Sequence, residues 1–366
     1  LLLVLSSCHT GKQITASGLQ RKDFQTEVNG QHTDLFTLSN KQGMEVCITN
    51  YGARVVSILV PDRNGKREDV VCGFSTITEY MEQRQNFGST VGRYIGRILN
   101  ARFTLDGVEY KLVPNNGKSG HISHGGNPGF ADRIWKVEQA DTHRVCLSYL
   151  SPDGENGFPG NLKVTLVYSL GEDDNALDLT YEATTDAPTV LNLSHHSFFN
   201  ISGNFTKSVE DQQLWVDADR FTPYDDKKCV TGEYLPVAGT PLDFRMPHTI
   251  GECIDADHPQ LKVVNGYDHT WELNTKGDDT RPAAWVYDPA SGRKMEIFTT
   301  EPGMQIYTGN GLKGKMTGKG GIAYPFRSAV CFETMHFQDS PNQPGFPSTV
   351  LRPGEVFRSH TVYKFE

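Results

Sequence analysis

The stretch Asn192-Leu-Ser-His-His-Ser-Phe-Phe-Asn200 sets two histidines side by side, with Leu191, Leu193, Phe198, Phe199 and Ile201 around them. Imidazoles rising from an apolar wall can change charge near neutral pH, as few side chains can. Neighbours on an extended strand point to opposite faces, so one histidine reaches a given cleft and the other is structural. His196 is the expected general acid. Its complement is Glu333, within Ser328-Ala-Val-Cys-Phe-Glu-Thr-Met-His336. A carboxyl among so many apolar neighbours is costly unless paired or used. Desolvation raises its pKa toward what a general base needs. The plainer alternative is an edge strand that leaves Glu333 in water where the acidic loop at Gln338-Asp339 begins.

Three further stretches set polar residues in apolar surroundings. Val91-Gly-Arg-Tyr-Ile-Gly-Arg97-Ile carries two arginines four apart, with glycines that favour a loop over a helix. In Ser123-His124-Gly125-Gly126 the glycines let a ligand approach the backbone beside an imidazole. Asn265-Gly-Tyr-Asp268-His269-Thr-Trp271 puts a carboxylate and an imidazole between two aromatics. Aromatic faces stack on the C–H face of a sugar, and carboxylates accept its hydroxyl protons. Taken singly, each of these stretches also reads as an ordinary turn or surface loop.

Other chemistries lack their residues. There is no P-loop and no H-E-x-x-H. Setting Cys8 aside, six of the seven cysteines are scattered without C-x-x-C spacing, so no metal site follows from them. Asp217 with Asp219, and Asp278 with Asp279, could hold a structural calcium ion but lack a recognisable loop pattern. The net charge of −9, with no basic run, argues against a nucleic-acid partner.

The elements that must position these residues are strands. The chain has 366 residues, 37% hydrophobic and 22% charged, a soluble globular composition. Leu162–Tyr168 and Leu177–Glu182 alternate with period two, as do Ala284–Tyr287 and Lys294–Phe298. Asp106-Gly107 between two alternating runs predicts a tight hairpin. One clear helix start, the capping box Thr76-Ile-Thr-Glu79, interrupts them. The fold class is therefore all-β, a large antiparallel β-sandwich with few short helices. Residues 24–366 read as one domain. Leu1-Leu-Leu-Val-Leu-Ser-Ser-Cys8 is too short to span a bilayer. It resembles the end of a bacterial lipoprotein signal, with Cys8 as the acylated residue and residues 9–23 as a polar tether. That predicts an exported lipoprotein, periplasmic or membrane-anchored, touching the membrane only through its lipid.

Together these motifs resemble the aldose 1-epimerases, or galactose mutarotases, from about Gly43 to the C-terminus. Gly92-Arg-Tyr-Ile-Gly-Arg-Ile98 followed by the Asp106-Gly107 hairpin resembles the family's arginine segment, and His124-Gly-Gly126 its first histidine motif. Asn192 to Asn200 resembles the catalytic-acid motif, and Gly266-Tyr-Asp-His269 the sugar-binding aspartate motif. Glu301-Pro-Gly-Met-Gln305 to Asn310, Phe332-Glu-Thr334 and Pro341-Asn-Gln-Pro344 resemble its glutamine, base and C-terminal signatures.

The resemblance implies a mutarotase-like supersandwich and an isomerase that interconverts α and β anomers of hexoses such as galactose and glucose. His196 would be the acid and Glu333 the base, while Arg97, His124, Asp268 and Gln305 would hold the hydroxyls. No cofactor or metal is needed for such chemistry, the partner is a monosaccharide, and a monomer is expected. Two positions depart from the family's pattern and bear on sugar preference. Gly96 stands where Asn often precedes the second arginine, and Phe198 stands where Tyr is frequent. The rival functions are a sugar-binding lipoprotein without turnover and an epimerase of phosphorylated hexoses. The first would need neither acid nor base. The second would need extra cations that the sequence does not reveal.

Overall fold

The computed structural model describes residues 13–366. The expected lipidation site, Cys8, lies outside them. Among the described residues no helix is long and apolar enough to cross a membrane.

Alternating apolar residues build the larger sheet. Leu162–Leu170 buries Leu162, Val164, Leu166, Tyr168 and Leu170 on one face, and Ala176–Thr185 answers with Leu177, Leu179 and Tyr181. Each such side chain removed from water contributes ~1.5–3 kcal/mol. The two strands pair antiparallel in the expected register, Leu166 opposite Tyr181. They lie inside a nine-stranded antiparallel sheet in which the C-terminal strand Phe357–Phe365 joins Ala176–Thr185 to Lys294–Thr299. A six-stranded sheet and a four-stranded sheet complete the sandwich. Val164, Leu179, Ile58, Trp271 and Phe332, drawn from all three sheets, belong to one contiguous core. Asp106 and Gly107 take φ of 52° and 79° in the expected hairpin between Arg102–Leu105 and Val108–Lys111. The capping box at Thr76 opens the helix Ile77–Gln83, one of two α-helices among the described residues.

The six-stranded sheet positions the chemistry. Its strand Val330–Met335 is buried along its whole length, because both faces are covered. One face turns to the core. Thr334 Oγ1 lies 2.7 Å from Thr361 Oγ1, and Tyr363 donates to the Phe332 carbonyl at 2.9 Å, tying this strand to the nine-stranded sheet. The other face carries Cys331, Glu333 and Met335, two of which line a cleft.

The tether expected over residues 9–23 is corrected where it is described. Thr15, Leu19 and Phe24 are buried, and Ala16 donates its N–H to Glu45 Oε1 at 2.7 Å. Apolar Leu19 and Phe24 find cover in a cluster with Leu35, Cys47 and Val56 of the four-stranded sheet and do not extend into water. The packed domain therefore includes residues before 24.

Candidate active site

Strand register brings the acidic and amide groups together. Gln305 pairs with Glu333 on one side and Thr270 on the other, while Asp268 pairs with Tyr307. Period-two alternation then directs Gln305 and Glu333 to the same face of adjacent strands. The short strand Ser194–His196 pairs with Ser89–Val91 and brings the histidines in from the side. His195 turns to the core, its ring 6.1 Å from those of Tyr168 and Tyr363 and its Nε2 2.6 Å from Ser197 Oγ. His196 faces the opposite way, as strand geometry requires. Its ring stacks on Phe198 at 5.1 Å and meets His124 edge-on at 5.5 Å.

These side chains surround a cleft of about 270 Å³, at the small end of ligand sites. It is lined by all six residues singled out in the sequence: Arg97, His124, His196, Asp268, Gln305 and Glu333. At its floor His196 Nε2 stands 3.4 Å from Glu333 Oε1. Both are buried. Burial pushes the Glu333 carboxyl well above its usual range, aided by nearby Asp268. Burial pushes the His196 imidazole well below its own range, aided by His124. His124 is itself lowered to about 4 by burial and by the Arg97 guanidinium, so at neutral pH it is an uncharged hydrogen-bonding group. Asp268 is raised by burial against the pull of Arg97, and accepts from Gln305 Nε2 at 2.7 Å. Arg97 donates from Nη1 to the Lys228 carbonyl at 2.9 Å and forms no ion pair among the described residues.

Several expectations change. Arg93, the partner of Arg97 in sequence, is 2% exposed and donates to the carbonyls of Pro159, Gly160 and Pro152 and to Ser151 Oγ, so it anchors loops. Tyr267 and Trp271 do not line the cleft. Both lie in the core, with Tyr267 Oη and Trp271 Nε1 donating to the carbonyls of Pro241 and Leu242. The aromatics on the cleft are Phe198, Tyr224 and Tyr307. The loop at Gln338-Asp339 does not open Glu333 to water: Gln338 lines the cleft, and Asp339 is buried, accepting from Leu99 N at 2.9 Å. Tyr224 and Gln338 are therefore site residues that sequence reasoning missed. The only signal was the bare Gly96.

Ligand atoms of His196, Cys331 and Glu333 lie within 4.8 Å of one another and could hold a soft cation. Burial raises the Cys331 thiol, so a cation there would have to displace a firmly held proton. The acidic pairs weighed for calcium have protein partners: Asp217 pairs with Arg281, Asp219 with Arg245 and Asp279 with His360.

An antiparallel supersandwich holding a carboxyl and an imidazole against one another in a polar, sugar-sized cleft defines an acid–base enzyme class. The aldose 1-epimerase profile matches residues 34–364, and the chain belongs to that family. It is 39% identical to the galactose mutarotase of Sus scrofa over 330 residues, covering 90% of this chain and 93% of that one. It is 36% identical to the aldose 1-epimerase of Escherichia coli K12 over 339 residues, 92% of this chain and 96% of that one. The solved aldose epimerase homologue from C. elegans superposes with a TM-score of 0.84 at 31% identity, covering 91% of this chain and 99% of that one. Galactose 1-epimerase from Lactobacillus acidophilus superposes with a TM-score of 0.81 at 28% identity, covering 93% and 96%.

Proposed function

We propose that this protein is an aldose 1-epimerase that interconverts the anomers of hexoses such as galactose and glucose. The observation that carries this reading is the contact between His196 Nε2 and Glu333 Oε1 at the floor of the cleft. No hydrogen bond joins them, so neither spends its proton on the other and both are free to meet a sugar.

The reaction needs two proton transfers. Ionised Glu333 takes the proton of the anomeric hydroxyl while protonated His196 gives its proton to the ring oxygen. The C1–O5 bond breaks, leaving an open-chain aldehyde. Rotation about C1–C2 presents the other carbonyl face. On that face Glu333 returns its proton to the carbonyl oxygen as O5 attacks C1, and His196 recovers its own from O5. Before and after ring opening the pair holds one proton in total, first on the imidazole and then on the carboxyl. Burial disfavours the charged form of both groups, which makes the carboxylate a stronger base and the imidazolium a stronger acid. Each positioned transfer supplies ~10²–10⁴-fold. Arg97, His124, Asp268 and Gln305 would hold the hydroxyls while C1 stays free to turn.

Polarimetry on freshly dissolved α-galactose and α-glucose tests the reading. Optical rotation should relax faster than the spontaneous rate in proportion to enzyme concentration. A sugar-binding protein without turnover would leave the spontaneous rate unchanged. We also propose export as a lipoprotein acylated at Cys8, supported by the Leu5-Ser6-Ser7-Cys8 sequence. Failure of the expressed full-length precursor to incorporate labelled palmitate would overturn it. A monomer is expected, and sedimentation equilibrium checks it.

A further inference from the structure

Gly96 precedes Arg97 on the wall of the cleft and offers no side chain. Its φ is +74°, and a Cβ there would lie 2.5 Å from Cγ of Gln338. The space left open at position 96 is thus filled by Gln338, whose amide enters the cleft wall almost fully buried.

Hydrogen-bond donors and acceptors fix how that amide points. Gln338 Oε1 accepts from the backbone N–H of Arg97 at 3.3 Å, and a backbone N–H can only donate. The other end of the amide is therefore the NH₂ group, which donates to Tyr224 Oη at 2.7 Å and to Gln305 Oε1 at 3.3 Å. Gln305 is oriented in the same way. Its Nε2 donates to the Asp268 carboxylate and, at 3.4 Å, to Tyr224 Oη.

Two amides therefore donate to one phenol oxygen. A phenol has two accepting sites and one proton, so Tyr224 has only its proton left to give. Among the described residues that proton has no acceptor. Leaving a buried donor unpaired is costly, and the cost is removed when a ligand supplies the acceptor. We propose that Tyr224 donates its phenol proton to a non-anomeric hydroxyl oxygen of the bound aldopyranose, and that Gln338 is the positioning residue that turns it there. This rests on the mutarotase reading and adds to it a device that selects the sugar. Burial also holds the phenol above its ordinary value, so it stays a donor at neutral pH. The device replaces the hydrogen-bonding side chain that Gly96 lacks.

Tyr224→Phe keeps the ring that packs against His269, 5.4 Å between centroids, and removes only the proton. The test measures kcat and KM for wild type, Tyr224→Phe and Gln338→Ala on the parent hexose and on its 2-, 3-, 4- and 6-deoxy forms. Tyr224→Phe should lower kcat/KM about tenfold on the parent sugar, mostly through KM. On the one deoxy sugar that lacks the partner hydroxyl it should change nothing, because the interaction is already absent there. Gln338→Ala should show a smaller loss with the same deoxy sugar spared, which a general loosening of the fold would not produce. Equal losses on every sugar, or Tyr224→Phe within about twofold of wild type throughout, would overturn the proposal while leaving the mutarotase reading intact. A wild type that accelerates no sugar would overturn both.

Discussion

His196 and Glu333 come from strands more than 130 positions apart, yet their Nε2 and Oε1 atoms lie 3.4 Å from one another, and neither forms another ion pair among the described residues. His196 Nδ1 is buried without a hydrogen-bond partner, so the ring is oriented by stacking on Phe198. Polar groups left this way inside a protein are expensive. Here the expense falls on the two groups proposed to exchange protons with substrate.

Glu333→Gln and His196→Asn should each lower turnover at least ~10²-fold, the lower end expected of a general acid or base. Polarimetric initial rates check this. Near-normal rates in either variant would remove that residue from the proton-transfer scheme.

The same Glu333→Gln change should stabilise the protein near neutral pH. The folded-state pKa of Glu333 is raised, so ionisation of the unfolded chain above about pH 4.5 draws the protein toward unfolding. Glutamine escapes that penalty. Urea unfolding should show the variant more stable than wild type at pH 7, with the difference closing at pH 4. Wild type and variant keeping the same difference at both pH values would contradict the raised pKa.

Arg93→Met should destabilise the fold by about 3 kcal/mol, since several buried carbonyls lose their donor together. Arg97→Met should cost little stability, because Arg97 is only half-buried, and should instead raise KM. Chemical denaturation and kinetics on the two variants distinguish an anchoring arginine from a binding one.

His360 lies between Asp178 and Asp279, with both ring nitrogens 2.7 Å from a carboxylate oxygen. The hydrogen bond to Asp178 leads in raising its pKa, to about 9. A raised histidine stabilises most below its unfolded pKa near 6.5 and loses that contribution as pH rises through about 9. The site is about one-third exposed, so the contribution should be screened to about 1 kcal/mol. His360→Asn should therefore be less stable than wild type at pH 6 and match it above pH 10. An NMR titration midpoint near 6.5 would refute the pairing.

Local order was readable from the chain itself. Alternation in 162–168 and 177–182, the Asp106-Gly107 turn and the capping box at Thr76 each follow from interactions between near neighbours, which a linear sequence displays directly. The opposite facing of His195 and His196 follows from strand geometry alone. So do the candidate acid and base, because a histidine or glutamate embedded in apolar residues is unusual wherever the chain goes. Tertiary structure decided which polar groups share a cleft. Whether Tyr267 and Trp271 face a ligand or the core depends on the sheet they pack against, and that sheet is assembled from distant segments. Arg93 and Arg97 differ in surroundings because the loops around Pro159 close over the first while the second lines the cleft. Tyr224 and Gln338 carried no local signal at all. Their place in the site comes from the space that Gly96 leaves and from hydrogen-bond directions fixed by Arg97 and Asp268, contacts that exist only once remote strands have paired.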